Sequence, residues 1–442
     1  MQTRLHLYQS SLALVALLFT QTSLAREIIA SSCSFQNVEA ALLQTRDGDT
    51  LTIPAGNNCL WGDNGIVVDK EITIQGQGTG SNGTRLIRSI ATSVPLITFD
   101  CSSRPLAFKL KGIRFEGLFD PTLSDQLNDR AVQTVRGCQD FVISNNVFTG
   151  FAVAGIDVTN HVVPTGLNGI DNNQTNRGVI ANNRFIENFK GTLGYGITVS
   201  SGGLNPLFIP YGSQDFLFIE DNYFAMNRHA VTSNFDATYV LRNNIIEDNY
   251  PNFTPIDTHG KTSTGTDLRG GTKRVEIYNN IIRVTGNGNY RHQAGGVATN
   301  NSSFGGVGLR GGEALVYNNT ISNFRFPIVL YPEFPVNSVD CDAIAADSNR
   351  NTNPSSPFYD KQSTNVYLWN NTLSNVDGNP VSNITFGSMA QCATAYRLGI
   401  EYHSSSFSYT PYPYPHPLRN LDNSSILDFI PVILSGTQKD TD

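Results

Sequence analysis

An asparagine pair set in a short apolar run recurs down the middle of this chain. The copies read Val-Ile-Ser-Asn145-Asn146-Val-Phe, Val-Ile-Ala-Asn182-Asn183-Arg-Phe, Phe-Ile-Glu-Asp221-Asn222-Tyr-Phe and Val-Leu-Arg-Asn243-Asn244-Ile-Ile. Glu-Ile-Tyr-Asn279-Asn280-Ile-Ile, Leu-Val-Tyr-Asn318-Asn319-Thr-Ile and Tyr-Leu-Trp-Asn370-Asn371-Thr-Leu complete the series. Self-similarity at a period of tens of residues is the signature of a solenoid. Asparagine tolerates the left-handed backbone of a tight bend, and its amide can hydrogen-bond to neighbours in stacked coils. Short strands broken at a fixed place by Asn therefore predict a parallel β-helix. The shortest spacing, 22 residues from Asn222 to Asn244, suits a single coil. The others, 36 to 52 residues, read most simply as one coil plus an inserted loop, and two coils with one unmarked pair would also fit some of them.

The N-terminus has Arg4 and His6, an apolar stretch around Leu12–Phe19, then Ser23-Leu24-Ala25. This pattern predicts a secretory signal peptide over residues 1–25, too short in its apolar part to span a bilayer, and a chain exported to an extracellular or periplasmic space. Cys33, Cys59, Cys101, Cys138, Cys341 and Cys392 are an even set, as disulfides in an exported protein would be. Sequential pairing is one of fifteen connectivities. Net charge is −7 with no Lys/Arg cluster, which argues against nucleic acid and against an anionic membrane as partners. No later stretch is apolar enough for membrane insertion, and a monomer is expected.

Ser34–Gln44 places Phe35, Val38, Ala41 and Leu42 at helical spacing. Gly48-Asp-Thr-Leu-Thr-Ile-Pro-Ala-Gly56 then turns into a strand, and Ile72-Thr-Ile-Gln-Gly-Gln-Gly78 forms an alternating run that ends in a glycine-rich bend. Together these segments resemble the start of the pectate-lyase-like right-handed β-helix superfamily. The resemblance covers Ser34 to about Gly78 by motif and Lys109 to about Asn375 by repeat. It implies an all-β, single-stranded right-handed parallel β-helix over residues 26–400, with a short N-terminal helix capping the open core. Residues 401–442 are expected to be an extended Pro/Tyr-rich segment, because the alternating prolines of Tyr409–Pro417 forbid a helix. That segment reads as a strap along the body or as a carbohydrate-stacking platform.

A second strand follows the Asn-pair strand in most coils. Ile156, Ile197, Val231, Ile256, Val307 and Ile328 are its expected core-facing column. The outward columns are then Asp157, Thr198, Thr232, Asp257, Gly308 and Val329, and Thr159, Ser200, Asn234, His259, Arg310 and Tyr331. This polar face suits a polysaccharide. Its densest chemistry is Arg228-His229, Asp257-Thr-His259 and Arg310, with Lys261, Arg269, Arg291, Asn234 and Tyr331 around it. Histidine serves as acid or base near neutral pH, and arginine holds a carboxylate bidentately. His259, Asp257, His229, Arg228 and Arg310 are therefore the candidate catalytic residues. Lys261, Arg269, Asn234, Tyr331 and Arg291 are the candidate substrate contacts.

That set suits β-elimination on a uronate-containing glycan, in which a base takes the C5 proton, an acid protonates the leaving oxygen and cations stabilise the developing enolate charge. A glycoside hydrolase would need two carboxyls about 5 Å apart for retention or about 6.5–9.5 Å for inversion. Asp157 and Asp257, three coils or ~14 Å apart, do not serve. Asp236, Asp267 or Glu313 would have to supply the partner. A noncatalytic glycan-binding or adhesin β-helix is the alternative from another class. Calcium is the natural metal for the superfamily. No Asp cluster with ligand spacing appears, so no metal site is assigned.

Overall fold

The computed structural model describes residues 25–118, 128–159, 175–190, 193–200, 209–250, 253–261, 270–286, 305–333, 346–348, 362–381 and 396–422. Their strands form three sheets of 12, 10 and 9 strands, in which every named strand pairing is parallel. Each full coil gives one strand to each sheet, so the chain is a parallel β-helix. The first sheet carries the strands leading into the Asn pairs, the second those leaving them, and the third the candidate site. Successive Asn pairs are successive coils, so the long spacings are insertions and not unmarked turns of the helix.

The two positions of each pair do different work. The first adopts the left-handed backbone, with φ between 52° and 57° at Asn145, Asn182, Asp221, Asn243, Asn279, Asn318 and Asn370. The second forms a buried ladder. The Asn146 backbone N–H donates to Asn183 Oδ1 at 3.0 Å, and Asn183, Asn222, Asn244, Asn280 and Asn319 repeat the bond to the next coil, ending on Asn371. Each side-chain amide also donates to a carbonyl of the coil before it, as Asn222 Nδ2 does to Ile180 O at 2.8 Å. The bend thereby satisfies backbone groups that burial would otherwise strand.

Ile156, Ile197, Val231, Ile256, Val307 and Ile328 are in register and fully buried, as their alternation predicts. Beside them Phe115, Phe148, Phe185 and Phe224 stack face to face with centroids 4.8–5.1 Å apart. Each such buried ring contributes roughly 2–3 kcal/mol. This stack explains Gly196, where a Cβ would lie 2.8 Å from the Phe224 ring. Small residues there let the rings fill the coil.

An α-helix, Phe35–Leu42, buries Val38, Ala41 and Leu42 at the first coils. Disulfides join Cys33 to Cys59 and Cys101 to Cys138. Cys341 and Cys392 lie outside the described residues, as do residues 1–24. From the last coil, residues 404–422 run back over the outer face of the first sheet. There Tyr412 packs on Phe218, Tyr409 hydrogen-bonds Glu276 at 3.0 Å, and Arg419 reaches Glu220 at 2.8 Å. Arg242, fully buried, binds Glu220 and donates to the Tyr412 and Pro413 carbonyls.

Candidate active site

The third sheet stacks His229–Ser233, Ile256–Thr258, Gly305–Leu309 and Phe326–Leu330 as neighbours. Thr232, Asp257, Gly308 and Val329 share one register position and alternate away from the core column. The ladder continues past the strand ends. His259 N donates to Ser233 O at 2.8 Å, Arg310 N to Thr258 O at 2.9 Å and Tyr331 N to Leu309 O at 3.1 Å. Asn234, His259, Arg310 and Tyr331 thus line up on consecutive coils although up to 97 residues separate them in sequence. Gly308 gives Tyr331 room to reach back: a Cβ there would lie 3.2 Å from the Tyr331 hydroxyl, which donates to Asp257 Oδ1 at 3.4 Å.

Asp257 is the centre. Its Oδ2 takes Arg310 Nη1 and His259 Nε2, each at 3.1 Å, and faces His229 Nε2 at 3.9 Å. The position was expected to lie open on an outward groove; instead Asp257 and His229 are buried, each 3% exposed. Asp257 Oδ2 lies 3.1 Å from each of its two cations, His259 and Arg310, and their pull is what makes an outward-facing carboxylate tolerable in this burial. Glu333 closes the far side. It pairs with Arg310 Nη2, accepts the Gly260 N–H at 3.2 Å, and lies 3.3 Å from His259 Nδ1 off hydrogen-bond alignment.

The two histidines are driven to opposite charge states. Burial pushes His229 down to about 3, outweighing the attraction of Asp257. Its Nδ1 is held by the Thr254 carbonyl and therefore carries the proton, which leaves Nε2 unprotonated. Burial also opposes charge on His259, but Asp257 and Glu333 more than offset it and raise this group to about 9. Burial acts to raise the Asp257 pKa, yet the His259 and Arg310 charges hold it far below the usual carboxylate range. At neutral pH the centre holds a neutral imidazole and an imidazolium on two sides of one carboxylate.

Arg228 lies beside this centre, its guanidinium 4.4 Å above the Phe253 ring and 3.4 Å from the Tyr195 hydroxyl. Among the described residues it pairs with no carboxylate, and its Nε is buried without a partner. Asn234 turns its side-chain oxygen to the Phe235 N–H at 2.8 Å, and Lys261 follows His259 and Gly260 at the edge of the site. Arg269, Arg291 and Asp267 lie outside the described residues.

The alternative carboxylate partners fall elsewhere. Glu313 is on the first sheet, bound to Arg274, and Asp236 pairs with Lys273 at 3.3 Å. Asp157 is engaged three coils away by Arg130 at 2.7 Å and Gln133 at 3.0 Å. Glu333 was not among the sequence candidates. Strand alternation beyond Tyr331 would have carried it to the same side, but the prolines around it hid the continuation. Among the described residues no three His, Cys, Asp or Glu side chains are arranged to hold a metal ion.

No protein-family model and no curated protein sequence matches this chain. Among solved structures it is similar to Geobacillus virus E2 ORF18, at 11% identity over 69% of this chain and 54% of that one, with a TM-score of 0.41. It therefore spans about half of that viral protein. It is also similar to alginate lyase from a Paenibacillus species, at 15% identity over 66% of this chain and 94% of the other, TM-score 0.36. A third likeness is to the A-module of the Azotobacter vinelandii mannuronan C-5 epimerase, at 13% identity over 80% and 96%, TM-score 0.36.

Proposed function

We propose that this chain is a secreted, polysaccharide-active β-helix protein that cleaves an acidic, uronate-containing glycan by β-elimination. In the same reading, the helix Phe35–Leu42 caps the N-terminal end of the core. The observation that carries the proposal is the opposed protonation of His229 and His259 around Asp257. Environments that push two titratable groups apart assign the base and the acid. His229 Nε2, unprotonated, takes the C5 proton; the C4–O bond breaks as C4=C5 forms; and His259, as imidazolium, protonates the leaving oxygen. Asp257 keeps His259 charged and oriented. Arg228, lacking a carboxylate among the described residues, is the guanidinium that meets the uronate carboxylate, which acidifies the C5 proton when neutralised.

Incubating the purified protein with a panel of polyuronates should generate the ultraviolet absorbance of an unsaturated uronide, and His259→Ala should remove it. One observation favours hydrolysis as the second reading. Arg310 bridges Asp257 through Nη1 and Glu333 through Nη2, which sets the two carboxyls roughly 5–8 Å apart, across the spacings that hydrolases use. Reducing ends released without an unsaturated product would select that reading. Glycan binding that survives replacement of the His/Arg set, with no product, would select a noncatalytic binder.

A further inference from the structure

The first sheet carries a second polar and aromatic constellation, away from the cluster on the third sheet. The chain's return over the outer face leaves a cavity of about 530 Å³ lined by Tyr211, Arg274, Glu313, Asn365, Tyr367 and Phe407, among others. That volume lies within the range of small-ligand pockets, about 300–1,000 Å³. Its polar rim is built by a defect in the sheet. The pairing of Gly312–Tyr317 with Ser363–Trp369 slips between Gly312 and Ala314, so Thr364 and Asn365 both stand opposite Glu313. Asn365 takes a left-handed backbone there, with φ 51°, and its exposed side chain donates to Glu313 Oε1 at 2.9 Å. Bulges of this kind re-aim side chains beside functional sites.

The remaining walls are aromatic. Phe407 meets Tyr367 edge-on at 4.9 Å and Tyr211 at 5.4 Å. The Tyr211 hydroxyl, buried beside Arg274, lacks a hydrogen-bond partner of good geometry. Charge is already balanced. Arg274 gives Nε and Nη2 to Glu313 Oε2 and Nη1 to the Ile209 carbonyl, so its charge is already neutralised by a carboxylate and its remaining N–H groups suit a neutral hydroxyl better than an anion. Hydroxyls suit the Glu313 and Asn365 oxygens, and the aromatic edges and faces suit the C–H surface of a sugar ring.

We infer that this cavity is a second carbohydrate-binding site, one that takes uncharged sugar residues and holds the protein on a glycan while the third sheet remains free. It does not depend on the elimination reading. Two sites on one rigid body raise the local concentration of polymer at the other face.

The test titrates the full chain with neutral gluco-, manno-, xylo- and galacto-oligosaccharides by calorimetry, with oligouronates as contrast. At least one neutral series should bind. Asn365→Gly, at an exposed position and free to keep the left-handed backbone, should weaken it about tenfold without changing the thermal midpoint or any action on polyuronates. Phe407→Ala should weaken it as well. Absence of binding by every neutral series, or binding indifferent to both substitutions, overturns the inference. Binding that is lost with Arg310→Ala instead would place the sugar on the third sheet and also overturn it. A chain inactive on every polyuronate that still binds neutral sugars through Asn365 would sink the elimination reading alone.

Discussion

His259 Nε2 stands 3.1 Å from Asp257 Oδ2, two residues apart on one outward edge of the third sheet. The same oxygen faces His229 at 3.9 Å from the preceding coil, so one carboxylate serves two histidines in opposite charge states.

If those states are the acid and base of the reaction, His259→Gln and His229→Gln should each lower kcat about 10²–10⁴-fold with smaller effects on KM. The wild-type rate should fall as pH rises through about 9, where His259 loses its proton. A pH–rate profile that stays flat to pH 10 would remove His259 from the acid role.

Glu333 should act on that alkaline limb. Glu333→Gln removes a negative neighbour 3.3 Å from His259 Nδ1 and so lowers the His259 pKa. The alkaline limb should move to lower pH while the maximal rate changes less than in His259→Gln. A lost rate with an unmoved limb would make Glu333 merely structural.

Stability should be lost on both sides of neutrality. His229 and His416 are depressed to about 3 and about 4 by burial, from 6.5 when unfolded, so the unfolded state gains protons first as pH falls below 6.5 and the native state is destabilised toward pH 3–4. His259, raised to about 9, contributes stability that is complete below 6.5 and disappears as pH rises through 9. Urea unfolding from pH 4 to 10 measures both limbs, and His259→Gln should flatten the alkaline one.

The Asn ladder should be sensitive at every rung. Asn222→Ala would strand the Asn183 N–H and the Ile180 and Glu220 carbonyls in the interior. We expect a loss of about 2–3 kcal/mol in denaturant unfolding, against a few tenths for an exposed asparagine such as Asn420.

Arg242 should anchor the C-terminal strap. Arg242→Ala leaves Glu220 short of its buried partner and frees the Tyr412 and Pro413 carbonyls, costing on the order of 3 kcal/mol. Limited proteolysis should then cut between residues 404 and 416 at protease levels that spare the parent protein.

Much of the architecture was legible because it is periodic. Asn145 and its equivalents need a left-handed backbone and Asn146 and its equivalents need stacked carbonyls, and both requirements repeat with the coil. Alternation then placed Ile156 through Ile328 inside and Asp257 outside, since strand geometry has a fixed period of two. Residue type and that alternation were enough to draw His229, Asp257, His259 and Arg310 into one region. They were silent on Glu333, which reaches Arg310 from the end of the next coil, and on the burial of Asp257.

The sequence by itself thus determined the parallel β-helix, its coil boundaries and its core column, because each follows from local backbone preference and side-chain alternation. Only the tertiary structure decided that Asp257 is buried between two histidines, that Glu333 and not Glu313 faces it, and that His229 is neutral while His259 is charged. Charge state depends on desolvation and on neighbours brought together across 28 to 76 residues of chain, from His229 to Asp257 and from Asp257 to Glu333. No local pattern encodes that distance in space.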